Sequence, residues 1–512
     1  MKWISKFSDN RRLFILFGLF FLCMIFIILF LFKVMLMNNT LLENDYGKQR
    51  PTILDRQGVI IAKSALIRSV YANPSKIQDK SKVIADLMKV FPQLNRNELK
   101  KKLYSTQNFV WIVKNITKNE EHNLLRLKLD FIEVRKNYAR IYPHGRLFSH
   151  VIGYVNVDQN GVTGLEKWVN SVNDSVVIST LDIAIQHVLH NEISYAVNEF
   201  GAEWGGAIVA DIDTGEILGM VSYPDFDPHK INSPFDKCMF NQMTAGIYEF
   251  GSIMKIFNLA LCVAHGDPNK EYDVSSNLTI GSFTIRDITP FNGSLNIVDG
   301  FSKSSNICYA KAALDIGGEK QRKFLESLNL FDQINLEISE VGKPSKPSHW
   351  SKSTIVTASY GYGISLTPLN VLHGLMKLLN PNYDNLKLVR NAQYNCEKSQ
   401  YQYSSNIAKL VIHCLNNNAK KWHSKGISDH QFGGKTGTAN IIQNKKYVQK
   451  KNIVSFVCIF PSYKPKYAMI VMFGAPKPSQ STFGFATSVW FTLPVARNII
   501  NILMNSRLAF EK

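Results

Sequence analysis

Twenty consecutive residues, Leu13 to Phe32 (LFILFGLFFLCMIFIILFLF), carry no charge. That is about the number of apolar residues an α-helix needs to cross the hydrocarbon core of a bilayer. The run therefore predicts a membrane anchor that stays apart from any water-facing core. Residues 1–12, MKWISKFSDNRR, hold four basic side chains and one acidic one. By the positive-inside rule, that end remains cytoplasmic and the rest of the chain is exported. A cleaved signal peptide would have a shorter apolar region ending in small residues. Here Lys33, Val34 and Met35 follow, so the anchor is expected to be retained.

The exported part is long enough for two or three cores. The formal net charge of the 512-residue chain is +19, which by itself suits an anionic partner. Its Lys and Arg residues are spread out, and no nucleic-acid-binding motif accompanies them, so nucleic acid is not expected. The seven cysteines include no C-x-x-C pair, which argues against a zinc or redox motif. A disulfide such as Cys396 with Cys414 is compatible with an exported protein but does not follow from spacing.

Residues 33–50 read as a polar stalk and 51–173 as a mixed region of short strands and helices. Within it, KSKVIADLMKVF places Val83, Leu87 and Val90 on one helical face. A second unit, 174–512, opens with a strand and then a helix bearing Ile185, Val188 and Leu189. In GGAIVADIDTGEILGMVSY, two apolar runs flank a D-T-G-E turn, the pattern of a β-hairpin. Gly215 stands where a calcium loop would need an oxygen ligand, so the turn is not a calcium site. Near the end, NIVSFVCIFPSYKPKYAMIVMFGAP is another strand pair, and a last helix is expected from about Val489. Strands at both ends with helices between them predict an α+β domain whose sheet joins distant segments.

The stretch QFGGKTGTAN contains Gly-Lys-Thr, yet a phosphate-binding loop would need a glycine where Asp429 stands. Another pattern accounts for it. Ser252 and Lys255 form the chain's S-x-x-K, and on a helix these positions share a face. The lysine amine can then reach the serine hydroxyl, and burial would lower its pKa toward that of a base. Ser304 and Asn306 follow 52 residues later as S-x-N, which also reads as a helix cap. Lys435, Thr436, Gly437 and Thr438 follow after 131 more. Each motif is weak alone. In this order the three form the set found in penicillin-binding proteins and β-lactamases.

Further segments narrow the resemblance. RPTILDRQGVIIA, RIYPHGRLFSHVIGYVNVDQNGVTGLE, SYPDFDP, YGYGISLTPL and IVSFVCIFP resemble the class B penicillin-binding proteins over nearly the whole chain. FVWIVKNIT, SSNICYAKAAL and TFGFATSVW are more similar to the division-specific, septal enzymes, the last to alphaproteobacterial forms. Departures are Phe250 in place of a usual proline, Ile253 and Met254 in the serine motif, and Gln242.

The resemblance implies an elongated pedestal of the dimerisation type over 51–173 and a β-lactamase-like transpeptidase domain over 174–512. It implies a single-pass protein of the bacterial inner membrane, anchored in the lipid bilayer by residues 13–32, its bulk periplasmic. It also implies a serine nucleophile, Ser252, with Lys255 as base and a proton relay through Ser304, Asn306 and Lys435. Thr436, Gly437 and Thr438 would bind substrate, with the N–H groups of Ser252 and Thr438 as oxyanion donors. The implied substrates are peptidoglycan stem peptides ending in D-Ala-D-Ala, and β-lactams. The implied partners are a membrane-embedded glycan polymerase and division-complex proteins. Neither metal nor organic cofactor is implied. At this point an elongation-specific transpeptidase, a β-lactam hydrolase or sensor, and a catalytically silent division scaffold remain compatible with the residues.

Overall fold

The computed structural model describes residues 17–33, 49–391, 405–423, 432–443 and 446–505, except 232, 234, 235, 282 and 481. Residues 17–33 are helical and exposed along their length. Residues 13–16 of the expected anchor, most of the stalk, and Cys396 lie outside the described residues. Among the described residues, no helix is long and apolar enough to cross a membrane.

The chain divides into two compact units. The smaller contains Ser64–Ala139 with the N-terminal residues; the larger contains Arg50–Lys63 and everything from Arg140 onward. Residues 140–173 thus belong to the same unit as the catalytic motifs.

The smaller unit has its own core. Helix Lys80–Val90 buries Val83, Ile84 and Leu87, and Asp79 caps it by accepting from the Lys82 N–H. Val90, expected on the same face, is only partly buried. Helix Arg96–Leu103 adds Leu99 and Leu103, and the strand Val110–Val113 adds Val110 and Ile112.

In the larger unit a five-stranded sheet runs in the spatial order Gly433–Gln443, Lys446–Phe460, Tyr467–Gly474, Trp204–Asp211, Ile217–Tyr223. All four pairings are antiparallel. The hairpin expected around D-T-G-E is the Trp204–Asp211/Ile217–Tyr223 pair, and distant segments share one sheet as expected. Both faces are covered, so Trp204–Asp211 and Tyr467–Gly474 are buried at every residue rather than at alternate ones. Helices Ile183–Phe200 and Thr492–Asn505 pack on one face around Ile185, Leu189, Ile499 and Leu503. Asp182 starts the first of these by accepting from Ala184 and Ile185, and Gly201 ends it at φ +55°. The other face receives the helices that carry the candidate catalytic residues.

Two segments singled out in the sequence, RPTILDRQGVIIA and RIYPHGRLFSHVIGYVNVDQNGVTGLE, meet inside this unit. Glu166, fully buried, accepts from Arg50 Nε at 3.0 Å and from Arg140 Nε at 2.6 Å. Arg50 also donates to the Glu166 and Gln159 carbonyls. A buried carboxylate is tolerable only with such partners.

Candidate active site

Ser252 does not sit on an α-helix. It lies in the 3-10 turn Gly251–Met254, and Lys255 is the first residue of the α-helix Lys255–His265. The two side chains still meet, because i and i+3 eclipse in a 3-10 turn. Lys255 Nζ donates to Ser252 Oγ at 3.0 Å. Gly251 has φ +52°, and a Cβ there would lie 2.5 Å from the Thr438 carbonyl oxygen. Only glycine lets the serine turn pass this close to the strand Gly433–Gln443.

The S-x-N motif forms the junction of two helices. Ser304 ends Ile297–Lys303 in the left-handed region, φ +57°. Such a conformation costs a non-glycine residue about 1–3 kcal/mol and clusters at functional sites. Ser305 then caps Asn306–Ile316 by accepting from the Cys308 N–H. Beneath the junction, Asp287 accepts from Ser305 Oγ at 2.6 Å, from the Asn306 N–H, and from the Ile307 N–H at 3.1 Å.

This arrangement aims three groups at Lys255. Its Nζ donates to Asn306 Oδ1 at 2.7 Å, to the Ser304 carbonyl at 2.8 Å and to Ser304 Oγ at 3.3 Å. Ser304 Oγ donates to Ser252 Oγ at 3.1 Å. From the opposite side, Lys435 Nζ donates to Ser304 Oγ at 3.2 Å and to the Thr436 carbonyl at 3.1 Å. Ser252, Lys255, Ser304, Asn306 and Lys435 thus form one connected network, drawn from two helix starts and a sheet edge.

Lys255 is completely buried and Lys435 nearly so. Burial, reinforced by the charge of Lys435, holds the Lys255 amine well below the usual lysine range; Asp287 opposes this in part. A neutral amine 3.0 Å from a serine hydroxyl can accept its proton.

Thr436 and Thr438 lie half-buried on the edge strand, and Gly437 is buried between them. Gly437 must be glycine, since a Cβ would meet the Phe250 carbonyl oxygen at 2.4 Å. Thr438 Oγ1 lies 3.1 Å from Ser488 Oγ, and the Ser488 N–H donates to it at 3.3 Å. Ser488 Oγ also donates to the Gly437 carbonyl and accepts from the Ser455 N–H. Asp287 and Ser488 were missed in the sequence. Asp287 belongs to no quoted segment, and Ser488 lies in TFGFATSVW, which is read only for its resemblance; folding brings both to the site.

Residues 205–499 match the family model described as the penicillin binding protein transpeptidase domain. The chain belongs to this family. The penicillin-binding-protein assignment extends upstream, where residues 47–175 match the penicillin-binding protein dimerisation domain. Among curated relatives, the probable peptidoglycan D,D-transpeptidase FtsI of Caulobacter vibrioides is 25% identical over 475 residues, covering 88% of this chain and 80% of that protein. The peptidoglycan D,D-transpeptidase FtsI of Escherichia coli K12 is 23% identical, covering 84% and 79%. The probable peptidoglycan D,D-transpeptidase PenA of Neisseria gonorrhoeae is 24% identical, covering 83% and 80%. A crystal structure of a peptidoglycan synthetase from Bifidobacterium adolescentis matches with TM-score 0.67 and 18% identity, over 91% of this chain and 96% of that one. The alphaproteobacterial, class B likeness read from the motifs agrees with these relatives.

Proposed function

We propose that this penicillin-binding protein is a peptidoglycan D,D-transpeptidase that cross-links stem peptides at the division septum through a serine acyl-enzyme. The observation that carries the reading is the hydrogen-bonded network of Ser252, Lys255, Ser304, Asn306 and Lys435 around a buried amine. Relatives named FtsI and PenA, matched over most of their length, support the septal role.

In this reading Ser252 Oγ attacks the carbonyl between the last two D-alanines, and Lys255 takes its proton. Asn306 fixes the direction of the amine. The proton returns through Ser304, polarised by Lys435, to the nitrogen of the departing D-alanine. The N–H groups of Ser252 and Thr438 hold the oxyanion, each such donor being worth about 10²–10³ in rate. The Thr436 and Thr438 hydroxyls orient the substrate carboxylate, with Gly437 giving it access to the strand. An amine of a neighbouring stem peptide then attacks the ester, forming the cross-link and freeing Ser252. No step calls on a metal or an organic cofactor.

The reading also places residues 13–32 in the bacterial inner membrane as a single span, with 1–12 cytoplasmic. Residues 33–50 form a stalk, 51–173 the pedestal, although its 51–63 and 140–173 fold in the larger unit, and 174–512 the β-lactamase-like transpeptidase domain, all periplasmic. The partners are a membrane-embedded glycan polymerase and division-complex proteins.

The test is intact-mass measurement of the full chain in detergent, mixed with benzylpenicillin, beside Ser252→Ala. A one-drug adduct lasting many minutes, and missing from the variant, is expected. An adduct that clears within seconds would instead mark a β-lactam hydrolase. No adduct on folded protein would leave the scaffold reading in its place.

A further inference from the structure

Beside the serine turn lies a second polar cluster that the acylation chemistry does not use. Glu249, three residues before Ser252, is only 4% exposed. Its carboxylate accepts from the Gly363 N–H at 2.7 Å and from the Tyr447 hydroxyl at 3.1 and 3.3 Å. Both donors are neutral. A carboxylate has room for about four donors, and a buried charge is stable when a cation or a fuller set of donors meets it. Burial accordingly pushes the Glu249 carboxyl above its ordinary range, against the two hydrogen bonds. The charge is incompletely compensated among the described residues.

Its surroundings are aromatic. The Tyr362 ring stands edge-on to Tyr447 at 6.2 Å, and Tyr360 lies 5.9 Å from Tyr362. Tyr447 is 51% exposed and Gly363 is exposed, so both donors to the buried carboxylate stand at the surface. It is also joined to the nucleophile's turn. The Gly251 N–H donates to the Gly361 carbonyl at 3.1 Å, and Tyr248 and Leu366 exchange both backbone hydrogen bonds at 2.8 Å. A carboxylate flanked by tyrosine rings is the chemistry that recognises an ammonium group.

We infer that Glu249, Tyr362 and Tyr447 form a docking site for the ammonium group of the incoming acceptor. The inference rests on the transpeptidase reading, in which the acyl-enzyme is resolved by an amine that is cationic at neutral pH. A chain of net charge +19 repels such an acceptor at long range. A local negative site joined to the nucleophile's turn offsets that and raises its concentration beside Ser252. The site binds only; the proton transfers remain with the Lys255 network.

The test is the partition of the acyl-enzyme. The full chain in detergent is acylated with an acyl-D-alanyl thioester, and water competes with glycinamide, whose ammonium lacks a carboxylate, or with uncharged methanol. Products are counted by mass spectrometry. Glu249→Gln is expected to lower the amide-to-acid ratio about tenfold and the methyl-ester-to-acid ratio less than twofold. Tyr447→Ala, on the exposed hairpin, should lower the amide ratio similarly, and Tyr447→Phe, which keeps the ring, much less. Should Glu249→Gln not fold, the Tyr447 pair decides alone. An unchanged amide ratio with slower acylation would show that Glu249 only props the serine turn. An equal fall for amine and methanol would show a general distortion of the cleft. Either result overturns the docking site. Failure of the parent protein to be acylated by thioester or benzylpenicillin would instead overturn the transpeptidase reading and the docking site with it.

Discussion

Lys255 is fully buried, and a second buried lysine, Lys435, stands across Ser304 from it. Both influences favour the neutral amine, so acylation by benzylpenicillin should gain speed as pH rises through a pKa well below the ordinary lysine value of about 10.4. Lys435→Met removes one of the two. The rise should then move to higher pH, as stopped-flow acylation profiles would show. Lys255→Met loses the base itself and should slow acylation by about 10²–10⁴. The same depression has a sign in stability. Between the folded and unfolded pKa values the unfolded chain binds the extra proton, so stability rises with pH across that interval. Lys255→Met should flatten that dependence in urea unfolding.

At the scale of elements, the S-x-N junction depends on a side chain outside the motif. Asp287 accepts from two backbone N–H groups at the start of Asn306–Ile316 and from Ser305. A carboxylate there satisfies orphan donors and complements the helix dipole. Asp287→Ala should cost about 1–2 kcal/mol in urea unfolding and also slow acylation, since Ser304 and Asn306 would lose their footing. The S-x-x-K spacing revealed that Ser252 and Lys255 meet, because short-range geometry is written in residue spacing. It suggested one continuous helix, whereas Gly251 at φ +52° forces a tighter 3-10 entry. The cap at Ser305 was legible for the same local reason. Asp287, and the contact of Ser488 with Thr438, were not, because contacts across long stretches of chain leave no periodic trace. The last helix starts at Thr492 rather than Val489; residues 488–491 form a turn on which Thr492 closes a backbone bond to the Ser488 carbonyl, while the Ser488 side chain is tied to the edge strands.

At the scale of the molecule, the triad of Arg50, Arg140 and Glu166 holds together three segments of the larger unit. Removing one member of a buried ion group strands the others, at a cost of about 3–5 kcal/mol. Glu166→Ala is expected to lower the unfolding free energy by that amount, and the urea midpoint with it, even though the triad takes no part in the chemistry. A midpoint unchanged from the parent would show that the triad is dispensable. The order of strands in the catalytic sheet has a further consequence, one of timing. Trp204–Asp211 and Ile217–Tyr223 are made well before their neighbour Tyr467–Gly474. Until it arrives, one edge of the early hairpin is unpaired, which invites pairing with another chain. It is also the kind of long-range contact that slows folding. Lys435 and Ser488 arrive in the same late portion. The hydrogen-bonded network around Ser252 can therefore be complete only after the strand bearing Lys435 has been made.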